Sequence, residues 1–450
     1  MSSTTPGSRG LLPRLVATHL VWGPLLAVVL LLAVARAFRL DEPLYGASLE
    51  WLMRYAPARV TRPDPRIVII ALDDETFAHP EEVPQWAPNV LERSQHGLLL
   101  GEVARSGGRV VGFDIAFLGE SPMDGAFRQA LDAFPGTVVL VAEAATVFAP
   151  GKGDERTNRA QGRFEEPTAH LTGAGCVRIA SPLVKEFPHN RIVFGVTPVQ
   201  ARGDGRAIQA LAYECWLAAT GRSPDPRLTA DPGGIRLIRW PAAPVGEGFR
   251  RISYREVVTG RWRQQDPDLF RDRIVLVGSF ATGAGKDYVR TPHGAAPGVV
   301  VHAAILQTWL EGTPISHASR FLPTALLAAL SAAFVFRLVF RSPPIQGLVI
   351  SVAALALTYL VSLGLYHAGI WVSHVHAWVT IGAFGLGAYL LSTRFAQNML
   401  ARYAGEAAAE QLRARGRIVQ RTQVATVFFA DVQGYTTLSE SLSPAELMEV

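Results

Sequence analysis

The sequence predicts a multi-domain membrane protein whose soluble part is an α/β domain. Three observations carry this. Residues 321–393 are almost free of formal charge, with Arg337 and Arg341 the exceptions. A second uncharged run, residues 15–35, lies near the N-terminus. Between the two, short Val/Ile-rich runs alternate with stretches that suit covering helices.

A helix rises about 1.5 Å per residue, so roughly 20 apolar residues cross about 30 Å of hydrocarbon. The stretch 321–393 holds three such crossings, at about 321–340, 347–366 and 370–392. Arg341-Ser342-Pro343-Pro344 separates the first two, and His367-Ala368-Gly369 the last two. Residues 15–35, within an N-terminal segment 1–40, add another, giving four transmembrane helices. Ala33-Val34-Ala35 fits the cleavage pattern of a signal peptide, but the run is longer than a signal core and reads as an uncleaved anchor.

Arg9 and Arg14 precede the anchor, Arg341 lies in the loop between the second and third spans, and Arg394, Arg402, Arg413, Arg415 and Arg417 follow the fourth. Positive charge on short flanking segments marks the cytoplasmic side. Both termini are therefore expected inside and residues 41–320 outside, in a multi-pass plasma-membrane protein. Arg36 and Arg39 run against that rule. The Ala/Gly/Arg-rich composition suggests a bacterial source, whose inner membrane would be the site.

The hydrophobic fraction of 49% and the mean hydropathy of +0.20 follow from the spans. A net charge of +5 and a pI near 9.4 raise nucleic acid as a partner. Lysine occurs only at 152, 185 and 286, and the arginines are scattered, so no phosphate-binding face and no nucleic acid are expected. The two cysteines, Cys176 and Cys215, both precede the three-span block. A single disulfide and two separate core thiols are both open.

Strand candidates in the soluble domain are 66–72, 109–113, 137–142, 191–195 and 273–278, with helices at 89–105 and 299–310. Continuous apolar strands imply a parallel or mixed sheet covered on both faces. Asp73, Asp74 and Asp114 stand at strand ends, where ligands gather in open α/β sheets. They are candidate lining for a ligand or cation pocket, or else helix caps and turn closures. The Gly-rich segment GSFATGAGKD, 278–287, lacks phosphate-loop spacing: Phe280 stands where glycine is needed, and Asp287 follows Lys286 in place of Ser or Thr.

Residues 394–422 read as a cytoplasmic helical linker, with Phe395, Met399, Tyr403 and Ala407 on one face. A dimer-forming helix and a plain spacer are both open. His374 and His376 are two apart, too divergent on a helix to chelate together, and are expected to pack. Residues 424–430, VATVFFA, form a strand that delivers Asp431 into the turn Val432-Gln433-Gly434-Tyr435-Thr436. Ser443-Pro444-Ala445-Glu446 then starts a helix. A carboxylate delivered into a Gly-containing turn is one way to hold Mg²⁺ beside nucleotide phosphates.

The segments PDPRIVIIALDDETF, GGRVVGFDIAF, RDRIVLVGSFATGAGKDYVRTP and PGVVVHAAILQTWL resemble the beginning, middle and end of the type-2 CHASE domain. That is an extracellular sensory module found ahead of bacterial cyclases and kinases. Its usual layout of one anchor, a sensor and three spans is also seen here, with the sensor at 41–320. The string TVFFADVQGYTTLSE resembles the opening of the class III nucleotide cyclase domain, an α+β ferredoxin-like fold, in residues 423–450.

This second resemblance implies that Asp431 and the Val432 carbonyl bind metal, and that Gly434, Tyr435 and Thr436 wrap the triphosphate. Tyr435 replaces the commoner phenylalanine. It also implies two Mg²⁺ or Mn²⁺ ions, ATP or GTP as substrate, pyrophosphate as leaving group, and a homodimer whose sites form between two catalytic domains. The second metal aspartate, the purine-selecting residues and the Asn/Arg pair of such cyclases have no counterpart before Val450. The expectation is a receptor cyclase, governed by an unknown extracytoplasmic signal, with most of its catalytic domain missing from this chain. The rival is a non-catalytic membrane receptor with a degenerate cyclase-like end, acting through protein partners.

Overall fold

The computed structural model describes residues 30, 34, 42–56 and 62–404, apart from 89, 145–163, 188–189, 203–205, 231–233, 242–247, 283–286, 313 and 317–320. Most of the first span and residues 405–450, with Asp431, Val432, Gly434, Tyr435 and Thr436, lie outside the described residues.

The soluble domain opens with α1 (Glu42–Tyr55), followed by β1 (Ile67–Leu72), α2 (Arg93–Arg105), β2 (Val110–Ala116), α3 (Asp124–Ala133) and β3 (Thr137–Val141). Then come β4 (Val177–Ser181), β5 (Val199–Ala201), β6 (Ala207–Ala210) and α4 (Leu211–Thr220). The last part holds β7 (Arg250–Ser253), α5 (Tyr254–Val258), β8 (Ile274–Ser279) and α6 (Gly298–Leu310).

One eight-stranded sheet runs in the order β5-β6-β4-β3-β2-β8-β1-β7. Every neighbouring pair is parallel except β5 with β6. β1 (IVIIAL) is buried at every position, as a strand covered on both faces must be. Its side chains alternate between two cores. Ile67 and Ile69 join Leu211, Leu276 and Val299 beneath α4 and α6. Val68 and Ile70 join Leu99, Phe127 and Tyr254 beneath α2, α3 and α5. Gly278 on β8 lets α6 lie close, since a methyl there would come 2.5 Å from Val299 Cβ. At one border of the sheet, β7 presents exposed Arg250 and Arg251. Arg250 pairs with Asp266 at 2.5 Å, and Arg251 lies over the Phe280 ring at 4.9 Å.

The run expected as a strand at 191–195 forms at Val193–Val196, but outside this sheet. It belongs to a four-stranded antiparallel sheet with Lys185–Glu186, Arg236–Leu237 and Ile315–Ser316. A short buried apolar run reads alike in either setting, so periodicity does not separate them. The two cysteines are separate. Cys176 Sγ donates to the Leu131 carbonyl at 3.0 Å, while Cys215 is buried on α4.

Three further helices follow: α7 (Phe321–Arg341), α8 (Pro344–His367) and α9 (His374–Ala404). Each contains a stretch long and apolar enough to cross a membrane: Leu322–Arg341, Ile345–His367 and His374–Ala396. Small residues such as Ala325, Ala328, Ala332 and Ala377 lie in their shared core and allow close approach. The last helix begins four residues later than the expected 370. Gly369 takes φ +89° after α8, and the Ile370 N–H closes back on the Leu365 carbonyl at 2.8 Å. Trp371 and Val372 are then buried in a non-helical link.

Candidate functional site: an acidic crevice at the carboxyl ends of β2 and β8

β2 feeds α3 on one face of the sheet, while its neighbour β8 leads to α6 on the other. Adjacent strands that send the chain to opposite faces leave a crevice at their carboxyl ends. Asp114 lies there. The β2–β3 register shifts between Phe113 and Ala116, a bulge that re-aims the side chains around it.

Two further groups meet Asp114. His302, on α6, places Nε2 3.5 Å from Asp114 Oδ1, with only 4% and 8% of the two side chains exposed. Asp287 arrives from the loop after β8, and its carbonyl accepts the Gly298 N–H at 2.8 Å. Gly298 leaves room for both acids: a methyl on it would overlap Asp287 Oδ2 and lie 3.4 Å from Asp114 Oδ2. The two carboxyls therefore border a single point at the start of α6.

Burial sets the electrostatics. It pushes the Asp114 carboxyl up to about 7. Loss of water, and then the Asp114 charge, also raise Asp287, against a smaller opposing pull from His302. Burial holds His302 down to about 4 despite the Asp287 charge, so its imidazole is neutral. His302 Nδ1 is buried without a hydrogen-bond partner.

Two cavities flank these groups. One, of about 280 Å³, is lined by Asp114, Glu143, Asp287, His302 and the side chains of Val184 and Val301. The other, of about 440 Å³, includes Phe77, Trp86, Val90, Arg93 and Phe117 with Asp114. Trp86 is 61% exposed at that second opening. Arg93 is committed to Asp124 at 2.5 Å and to the Leu118 and Gly119 carbonyls at 2.7 and 3.0 Å.

Of the three aspartates read from the sequence, only Asp114 lines these cavities. Asp73 caps the short helix Asp74–Phe77, accepting from Thr76 N at 2.9 Å, Thr76 Oγ1 at 2.6 Å and Ser253 Oγ at 3.0 Å. Asp74 accepts from Thr282 N at 2.9 Å and Thr282 Oγ1 at 2.6 Å, which lowers its pKa and ties the loop after β8. Both brace the loops beside the crevice. Asp287 and His302 were missed as site residues. A histidine inside the otherwise apolar run GVVVHAAILQTWL was the available signal.

A second arrangement joins the soluble domain to the spans. Ser48 Oγ on α1 lies 3.2 Å from His374 Nδ1. The Tyr45 ring is 4.3 Å from that of His376 and 5.6 Å from that of Trp371, centroid to centroid. Arg239 reaches the Tyr366 carbonyl at 3.5 Å. The two histidines thus have separate neighbours, as their spacing required.

A largely parallel-sheet domain with an acidic crevice at its strand ends, packed on apolar helices, defines a membrane-associated α/β module. More particularly, the CHASE2 domain family matches residues 25–340, more than half of the sequence, and the chain belongs to that family. CHASE2 is an extracellular sensory domain of signalling receptors. No curated protein and no solved structure matches the chain.

Proposed function

We propose that this protein is a multi-pass receptor of a bacterial inner membrane whose CHASE2 sensor, on the extracytoplasmic side, controls a class III nucleotide cyclase domain starting near residue 423. One observation carries the coupling. Tyr45 and Ser48, at the start of the sensor, contact His376 and His374, at the start of the helix that leads away from it towards the linker. A shift of α1 cannot leave α9 unaffected, because these side chains are buried against one another.

The cyclase reading rests on TVFFADVQGYTTLSE. Asp431 and the Val432 carbonyl are oxygen donors, the donor type that Mg²⁺ or Mn²⁺ takes. Bound there, the ions would supply activation of the ribose 3′-hydroxyl of ATP or GTP for in-line attack on the α-phosphate. Gly434, Tyr435 and Thr436 hold the triphosphate, and pyrophosphate leaves. Two copies of the chain form the site between them, so movement of the linker changes how the halves meet. Both termini are cytoplasmic in this scheme.

The test joins residues 1–423 to a cyclase domain of known activity and follows cyclic nucleotide production in membranes. Deletions within 41–320 are expected to change the output. Output indifferent to every such deletion would overturn the receptor reading.

A further inference from the structure

We propose that the outward face of α1, built on Trp51 and Tyr55, is seated at the headgroup boundary of the leaflet on the sensor's side, so that the lipid surface is itself a partner of the sensor. The inference rests on the reading of α7, α8 and α9 as membrane-spanning, and it adds a surface of contact that this reading does not require.

The pattern of α1 sets up two faces. Tyr45, Ser48, Leu49, Leu52 and Met53 are buried. Ala47, Trp51, Arg54 and Tyr55 are exposed and recur at three- and four-residue spacing, so they share the opposite side of the helix. A helix that faces water on that side carries polar residues there. Here Trp51 is 45% exposed and Tyr55 57% exposed. The face also lacks free negative charge, because Glu50 at its edge is held by Asn190 at 2.8 Å and by Arg54 at 3.5 Å.

The rings beside this face indicate what covers it. Tyr55 lies 4.8 Å from Trp51, and Trp51 lies 6.3 Å from Trp378, centroid to centroid. Trp378 belongs to the apolar stretch His374–Ala396, four residues from its start, or about 6 Å along the helix axis. Its indole N–H donates to the Leu355 carbonyl of α8 at 3.0 Å, which fixes it against the bundle. Its neighbour Val379 is 51% exposed, and the Tyr359 ring, 6.4 Å away, is followed by exposed Leu360. Three rings in series therefore lead from the soluble domain onto side chains that a spanning helix presents to hydrocarbon. Scattered exposed aromatics need no partner. A series that ends on a spanning helix has one, since Trp and Tyr concentrate at the membrane–water boundary, where an apolar body and a polar tip are satisfied together.

Arg54 completes the fit. It keeps 44% of its side chain exposed, and its aliphatic stem can lie along the apolar layer with the charge at the level of the phosphates. Its Nε also donates to the Pro292 carbonyl at 3.2 Å, which fastens the end of α1 to the soluble domain. On the inner face Tyr45 and Ser48 meet His376 and His374. A helix that touches lipid, domain and span at once passes a change in any one of them to the others.

The experiment attaches a nitroxide to the full chain through Ala47→Cys or Tyr55→Cys, in nanodiscs of phosphatidylcholine and phosphatidylglycerol. It reads collision of the label with oxygen, which concentrates in lipid, against collision with a water-soluble nickel chelate. Val379→Cys on α9 and Glu120→Cys on the sensor are the lipid and water references. Oxygen is expected to dominate at both α1 positions, as at Val379, and the ratio to reverse at Glu120. Both α1 positions are exposed, so either variant can carry the test, and circular dichroism checks each fold. Dominance of the chelate at both α1 positions would overturn the inference. Shielding from both reagents would overturn it too, as the mark of a second copy or another protein on this face. A chelate-dominated label at Val379 sinks the membrane-spanning reading together with the inference, whereas a lipid-exposed Val379 beside a water-exposed α1 sinks the inference alone.

Discussion

Ser48 Oγ and His374 Nδ1 stand 3.2 Å apart although 326 residues separate them in sequence. The pair is fully buried and ties α1 to the first turn of α9. Ser48→Ala removes one partner and is expected to cost about 1–3 kcal/mol of stability. Tyr45→Ala removes the ring that packs on His376 and Trp371. In both variants the response of the cyclase fusion to changes in the sensor is expected to be lost or strongly reduced. Unchanged coupling in both would show that the signal travels by another contact.

Asp114 and His302 oppose one another in their pH dependence. Asp114 is raised from 3.8 to about 7, so its stabilising contribution is full below 3.8 and is lost as pH rises through 7. His302 is lowered from 6.5 to about 4, so its contribution is full above 6.5 and is lost as pH falls through 4. Between 4 and 6.5 the two slopes offset each other. Asp114→Asn removes one of them. The variant is expected to lose about 3 kcal/mol as pH falls across that window, through His302, and to exceed the native protein in stability above pH 7. Urea unfolding at a series of pH values measures both arms.

Gly278→Ala sets a methyl against Val299 on α6, the helix that carries His302. Overpacking of this kind costs about 1–3 kcal/mol. Thermal unfolding should register the loss, because α6 is pushed off β8. Stability equal to that of the native protein would mean that α6 shifts freely.

Asp124 neutralises Arg93, with 8% and 12% of the two side chains exposed. Asp124→Ala leaves that guanidinium without its carboxylate and should destabilise the sensor by about 3–5 kcal/mol, read by urea unfolding. Replacing both residues by apolar ones of similar size should recover much of the loss.

The native thiols bear on sidedness. Cys215 is buried, and burial raises its pKa far above the usual thiol range. Cys176 is half-buried and engaged with Leu131, and burial raises it too. Neither should react readily, which leaves a quiet background for a cysteine placed at exposed Glu120. Glu120→Cys is expected to react with a membrane-impermeant maleimide once the outer envelope is opened but the inner membrane is intact. Labelling only after lysis would invert the proposed topology.

Much of the fold was legible because the central strands are continuous apolar runs and the spans are nearly uncharged. β1, β2, β3 and β8 fall where those runs lie. β4, β6 and β7 escaped notice, since VRIAS, AIQA and RRIS are short and carry polar residues. The site was half legible. Asp114 ends a recognisable strand, but its meeting with Asp287 and His302 depends on β8 inserting between β1 and β2, a crossover that no local pattern encodes. Asp73 carries the same strand-end signature as Asp114 and serves as a helix cap.

The sheet's two borders also constrain how copies of the receptor can meet. β7 ends one side with Arg250 and Arg251, both exposed, and β5 ends the other with an antiparallel strand of three residues. Lateral growth across β7 would bring guanidinium groups of like charge together, and so short a border as β5 offers little backbone to zip. Edge-to-edge pairing of two copies along their strands is thereby disfavoured at both borders, which guards the domain against fibrous self-association.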